Sequence, residues 1–304
     1  MAISGAIAGA AAGAIVGANT DWRQPNAGGG GYGVPLTGAT YGGVSSTLGS
    51  GTWRGMGINA GRSTDDGGNL IALPRGGTPT SRVGGLTLST AGDISTGTFN
   101  TVAVASCPAN IVSLDFANGG SELIVVNDAG LLYSSPLSTN FDIETSGAFT
   151  SRSNLKTLAS GSAVWASIRI KEDGTQMIGT DWSGRVYGFA INTPYDWDDI
   201  TYDDVFLARA STNMTSEITF DGVYLMTASP VTGSQVQVWE LSIPWSPSSA
   251  GAALFTVDLG ALIPGFNPAS GINEFSGLAI DTYRKRFYIA SNTSDVVHQL
   301  DWTG

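Results

Sequence analysis

The 304-residue sequence holds one cysteine, Cys107, and one histidine, His298. A single cysteine excludes an internal disulfide and any cysteine-cluster metal site, and leaves the redox compartment open. One His and one Cys cannot furnish a zinc centre. There is no Gly-x-Ser-x-Gly elbow, and a Ser-His-acid triad would have to use that one histidine. Charge is also scarce, at 13% of residues, and the 14 Lys and Arg are outnumbered by 25 Asp and Glu. The resulting net charge of −11 repels a phosphate backbone, which excludes nucleic acid as a partner class. What the chain does have is 42 glycines and 42% apolar residues, enough for a sizeable core and for many tight turns. That combination predicts an all-β fold.

The stretch from Ile168 to Trp197 organises the rest. Ile168-Arg169-Ile170 alternates as a strand does, and Lys171-Glu172-Asp173-Gly174 is a polar turn in which Gly174 takes positive φ at little cost. Gln176 to Thr180 forms a second strand, Asp181 to Gly184 a second turn, and Arg185 to Ile191 a third strand that Thr193-Pro194 terminates. The third strand carries Tyr187, Phe189 and Ile191 on one side and Val186, Gly188 and Ala190 on the other, as a sheet sandwiched between neighbours should.

Registered on Val186, the same frame returns at Val83, Leu132, Val236 and Val297, so the five markers lie 49, 54, 50 and 61 residues apart. A period of this size means stacked units. The preceding turn repeats as Asp65-Asp66-Gly67-Gly68, Asn118-Gly119-Gly120, Glu172-Asp173-Gly174 and Asp221-Gly222, while Asp281-Thr282-Tyr283-Arg284 holds that place without glycine. Segments such as Ala148 to Thr157 and Ala253 to Leu259 supply a fourth, outer strand. Radial packing of such units gives a β-propeller of about five blades, each a four-stranded antiparallel sheet, with a Gly/Ala-rich N-terminal arm. A linear stack or a β-sandwich would use the same strands. Only two residues follow Trp302, so the last outer strand is expected from the N-terminal side, at Thr37 to Thr47. The expected divisions are an assembly segment over 1–20, a Gly-rich linker with a closing strand over 21–53, and the propeller over 54–304. The linker's Gly28 to Gly31 run lacks the Gly-Lys-Ser/Thr ending of a phosphate loop.

Residues 1 to 18 carry no charge and place Gly5, Gly9, Gly13 and Gly17 four apart, on one face of any helix they form. Four interior glycines cost such a helix about 4 kcal/mol relative to alanine, so close packing must compensate. A secretory signal is disfavoured because no Lys or Arg precedes the apolar run, the first cation being Arg23. A membrane helix of about 17 residues would span only roughly 26 Å of a ~30 Å core. The expectation is an arm that docks into copies of itself or into a larger assembly; an unstructured Ala/Gly tail is the alternative.

No catalytic, cofactor or metal residue emerges. His298 holds a strand position filled by Tyr187 in the third unit and reads as a packing residue. The acidic run Asp196 to Asp204 offers Asp196, Asp198 and Asp203, but no glycine-containing loop frames them for calcium, and it reads as a solvated loop. Aromatics are the better lead. Trp182, Tyr195, Trp197, Tyr202 and Trp245 fall in turns or just after third strands, at sheet ends where exposed rings stack on sugars or anchor a protein. The competing reading is that Tyr195, Trp197 and Trp245 belong to the repeat and cover neighbouring blades.

Asp173-Gly174-Thr175, then Val186-Tyr187, then Thr193-Pro194-Tyr195-Asp196-Trp197 resembles a degenerate propeller repeat of tailed-bacteriophage virion proteins, over roughly Arg54 to Trp302. The resemblance implies a non-enzymatic structural or attachment protein on a tail, fibre or capsid surface. Its implied partners are other virion proteins, itself through residues 1–20, and a host glycan or surface receptor. Two alternatives share such blades: a lactonase-like, metal-dependent propeller hydrolase, and a bacterial surface module held to the envelope by its N-terminus.

Overall fold

The computed structural model describes residues 34–45, 47–48, 52–53, 57–58, 70–76, 82–102, 107–161, 164–207, 214–229, 235–266, 275–291 and 295–303. Met1–Gly31 forms a separate unit outside the described residues, and with it lie Gly5, Gly9, Gly13 and Gly17. Asp65-Asp66-Gly67-Gly68 lies outside them too.

Five antiparallel sheets form a five-bladed propeller. The first strand, β1 (Thr40–Val44), belongs to the last blade. Blade 1 has its innermost strand in two pieces, β2 (Thr52–Trp53) and β3 (Gly57–Ile58), followed outward by β4 (Leu70–Gly76), β5 (Arg82–Leu88) and β6 (Gly97–Val102). Residues 54–56, between the two pieces, lie outside the described residues. Blade 2 is β7 (Ile111–Ala117), β8 (Glu122–Asn127), β9 (Leu131–Pro136) and β10 (Thr150–Asn154). Blade 3 is β11 (Trp165–Ile170), β12 (Gln176–Asp181), β13 (Arg185–Ile191) and β14 (Ile200–Leu207), and blade 4 is β15 (Thr215–Ile218), β16 (Tyr224–Ser229), β17 (Gln235–Leu241) and β18 (Ala250–Asp258). Blade 5 runs β19 (Phe275–Asp281), β20 (Arg286–Ser291) and β21 (Val296–Asp301), with β1 as its outer strand. The innermost strands touch in a closed cycle, β3 to β7 to β11 to β15 to β19 and back to β3.

The core is distributed between the blades. Five apolar clusters fill the five interfaces; one joins Ile71, Leu86 and Ile94 of blade 1 to Ala279, Tyr288 and Val297 of blade 5, and another joins Val126, Leu132 and Trp165 across blades 2 and 3. Each blade therefore buries both faces only because the ring closes. Closure uses more than one strand. Thr40–Val44 pairs with Asp301 to His298, Thr303 donates its N–H to the Thr37 carbonyl at 3.1 Å, and Leu36, with φ of 62°, is buried beside Trp302. The compact unit runs Tyr32–Gly304, and β1 falls within Thr37–Thr47, the stretch expected to supply the closing strand.

Turns alternate between the two ends of a meander. One end, here the connector face, carries each first hairpin and each link from third to fourth strand. The links share a local design. Asp93, Asp142 and Asp196 accept N–H bonds from the residue two ahead, and the residue after each aspartate, Ile94, Ile143 or Trp197, is buried. Pro247 plays that part in blade 4. The acidic run keeps Asp196, Asp198 and Asp203 exposed, as a solvated loop would, and its other carboxylates make local bonds. Asp198 pairs with Arg152 of blade 2 at 3.0 Å, Asp199 accepts from Asn192 and Thr193, and Asp204, inside β14, accepts from Ser246 and Ser248 of blade 4. These carboxylates are spent locally rather than converging on a cation.

Candidate functional site

The five aromatics selected from sequence do not form one surface. Tyr195, Trp197 and Trp245 lie on the connector face, Trp182 lies in the second hairpin of blade 3 at the opposite face, and Tyr202 lies on an outer strand. Trp197 and Trp245 are only 1% and 6% exposed, which removes them as surface platforms. The reason is backbone geometry that residue types do not reveal. Phe141, Tyr195 and Trp245 each adopt positive φ, 60°, 62° and 64°, and each packs on a positive-φ glycine of the first hairpin, Gly120, Gly174 or Gly222. Their N–H groups donate to those glycine carbonyls at 2.7, 3.2 and 3.0 Å. Tyr195 is half-buried, donates its hydroxyl to the Glu172 carbonyl and meets Trp197 at 6.4 Å between ring centres. Trp182 is also half-buried. Tyr202 keeps 40% exposure while its ring touches Tyr187 and Phe189.

Arg169 of β11 is buried where the innermost strands of blades 2, 3, 4 and 5 meet. Its Nε meets Glu217 of β15 at 2.5 Å, Nη1 donates to the carbonyls of Ile168 at 2.6 Å and Leu114 of β7 at 3.4 Å, and Nη2 donates to Leu278 of β19. One side chain ties four innermost strands. Asp115 of β7 accepts from the N–H groups of Ile170 and Phe116 at 2.8 and 3.0 Å. Hydroxyls continue the stitching, with Ser113 accepting from Ile168, Ser167 accepting from Ser216, and Thr180 bonded to Ser216. Burial pushes the Glu217 carboxyl up to about 7, against the pull of the Arg169 guanidinium. Among the described residues no group of three His, Cys, Asp or Glu is placed to hold a metal.

His298, pressed between Tyr41 and Phe266, is a packing residue whose burial lowers its pKa to about 4. Cys107 is a buried free thiol pushed up to about 12.

On the connector face lie the described first hairpins, those of blades 2 to 5. Here Phe220 of blade 4 and Tyr283 of blade 5 form an aromatic pair with ring centres 6.0 Å apart and planes at 47°. Tyr283 is 47% exposed, and the Phe220 N–H donates to the Thr282 hydroxyl at 3.4 Å, joining the two hairpins. Beneath them Arg284 pairs with the buried Asp281 at 3.0 Å. Sequence reasoning missed this pair, although it noticed that this hairpin lacks glycine. By register Arg284 stands where the other blades have Gly120, Gly174 and Gly222, and Tyr283 stands where they have Gly119, Asp173 and Asp221.

No protein-family model and no curated protein matches the sequence. Solved structures do resemble the fold. The α-L-arabinofuranosidase of Podospora anserina superposes with a TM-score of 0.52 at 10% identity, over 88% of this chain and 97% of that one. The catalytic domain of a Coprinopsis cinerea arabinofuranosidase gives 0.52 at 10% identity over 87% and 97%. The propeller domain of Myceliophteria thermophila Cps50 (Swd1) gives 0.42 at 10% identity, over 77% of this chain and 66% of that one. At these identities the likeness is one of fold, and the chain is similar to propellers that include enzymes.

Proposed function

We propose that the chain is a non-enzymatic attachment or structural component of a tailed-phage particle. In this reading residues 1–20 engage other virion proteins or further copies of the chain, and the propeller is presented outward to a host glycan or surface protein. The observation that carries it is the division of labour around the axis. Arg169, Glu217 and Asp115, buried polar side chains of the innermost strands, are committed to joining blades, while Tyr283, paired with the half-buried Phe220, stands exposed in the first hairpin of blade 5. An exposed ring bordered by hairpin amides and carboxylates suits stacking and hydrogen bonding to a sugar or a protein side chain. The arabinofuranosidase likeness concerns fold and brings no activity with it.

Immunogold labelling of purified particles tests the assignment. Antibody to the propeller should decorate intact particles, and deleting residues 1–20 should release the protein from them; absence from particles would contradict it. A lactonase-like hydrolase would instead lose an ester- or lactone-cleaving activity on chelation. An envelope-held bacterial module would need detergent until residues 1–20 were removed.

A further inference from the structure

The ring is closed by a short strand with a single inward anchor. β1 joins blade 5 from the other end of the chain and pairs with β21 alone, its register slipping between Tyr41 and Gly43. Thr40, Gly42 and Val44 face solvent, and Tyr41 is the one side chain of the strand packed on the core. Beyond that contact β1 is held by backbone and hydroxyl bonds at its ends, Ser45 with Val297 and Thr37 with Thr303. The Tyr41 ring meets the His298 imidazole at 6.1 Å between centres, and Phe266, in the segment after β18, meets the same imidazole edge-on at 5.9 Å. His298 is 8% exposed, its cross-strand neighbours are Val44 and Ile289, and its Nδ1 is buried and accepts no hydrogen bond among the described residues.

The ionisable groups of the surrounding elements offer a proton on that ring no support. β1 and the facing side of blade 4 bring the Tyr41 and Tyr224 hydroxyls, both raised in pKa by burial. Arg286 of β20 and Asp301 of β21 pair with each other, and Asp258 of β18 accepts from the N–H groups of Gly260 and Ala261. Asp295 lies in the turn before β21, and burial alone acts on the imidazole. A neutral imidazole fits this place, because one of its nitrogens needs no acceptor. A protonated one carries a second N–H and a charge that nothing there accepts or offsets.

We propose that His298 is an acid-operated latch on the ring: neutral, it holds β1 against blade 5 through Tyr41, and protonated, it lets β1 open while the other blades stay paired. Opening is local because blades 1 to 4 take their outer strands from the adjoining stretch of chain, whereas β1 has no such tether. The sign follows from linkage. With β1 open the imidazole takes up a proton at about 6.5, and with β1 closed only at about 4, so opening becomes easier as the pH falls through that interval.

The test is hydrogen exchange of the full chain, read by mass spectrometry at pH 7 and pH 4.5 and corrected for intrinsic rates. Between the two, residues 37–45 should lose protection by a factor about tenfold or more beyond the loss in β12. His298→Phe keeps a ring beside Tyr41 and Phe266 but takes no proton, and should bring the two losses level. Equal losses in the wild type overturn the proposal, as does a β1 loss that persists in His298→Phe. Should that variant not fold, the wild-type chain still decides, since His298 is the sole histidine and its imidazole NMR signals are assigned at sight. They should titrate well below 6.5, and the extra loss of β1 protection should fall between about 6.5 and their midpoint. A midpoint at or above 6.5, as a favourable cation–π contact with Tyr41 would give, or an extra loss outside that interval, overturns it.

Discussion

Trp245 lies on Gly222: the two take φ of 64° and 75°, and the indole covers the position a β-carbon on the glycine would need. Phe141 and Gly120, and Tyr195 and Gly174, repeat the arrangement in blades 2 and 3. Each pair locks a third-to-fourth-strand link onto the first hairpin of its own blade. Gly222→Ala meets both a backbone penalty of about 1–2 kcal/mol for the left-handed conformation and the ring itself. Urea denaturation should show a loss of about 2–4 kcal/mol. The same substitution at Gly251, which has open space and no positive φ, should be near neutral.

Trp197→Ala should cost about 3–5 kcal/mol, the range for removing a buried aromatic, because the ring is almost wholly enclosed between blades 2 and 3. The same change at Tyr202, which keeps much of its ring in solvent, should cost about 1 kcal/mol or less. Equal losses in thermal denaturation would contradict the burial assigned to these side chains.

Asp204 clasps blade 3 to blade 4 through the hydroxyls of Ser246 and Ser248 and the N–H of Ser248. Asp204→Ala leaves those donors partly unmatched and should destabilise by about 1–3 kcal/mol. Ser246→Ala and Asp204→Ala should be less than additive in a double-mutant cycle; strict additivity would mean the clasp contributes nothing.

Acid sensitivity between about pH 6.5 and pH 4 is assigned to His298. Its folded pKa of about 4 lies below the unfolded value, so the unfolded chain takes up the proton first and stability falls as the pH is lowered through that window. His298→Gln should flatten that limb of a stability–pH curve. An unchanged slope would place the sensitivity elsewhere.

The repeat was legible because its signals are local. Alternation and the turn glycines Gly120, Gly174 and Gly222 mark strands and hairpins, and they gave the five sheets and most outer strands. The link-to-glycine packing was not legible, since nothing in the residue type of Tyr195 or Trp245 announces positive φ. Trp197 and Trp245 were open both as surface rings and as residues covering neighbouring blades, and their burial bears out the second reading. The Arg169–Glu217 tie joins residues 48 apart, and its meaning needs the ring closed first. Thr40–Val44 lies within the Thr37–Thr47 stretch expected to close the ring, whereas the positive φ and burial of Leu36 just before it were not legible. The Phe220–Tyr283 pair was half visible, as a hairpin that breaks the glycine rule.

The central claim, which rests on the proposed function, is that this propeller binds through the exposed Tyr283 ring on its connector face and does no chemistry there. The direct measurement is calorimetric titration of the full chain with host-surface oligosaccharides, with recovery of the sugar afterwards, for wild type and Tyr283→Ala. The account predicts saturable binding, indifferent to chelator, weakened about tenfold or more in the variant, with the sugar recovered intact. Cleaved sugar, or binding that Tyr283→Ala leaves unchanged, would contradict it.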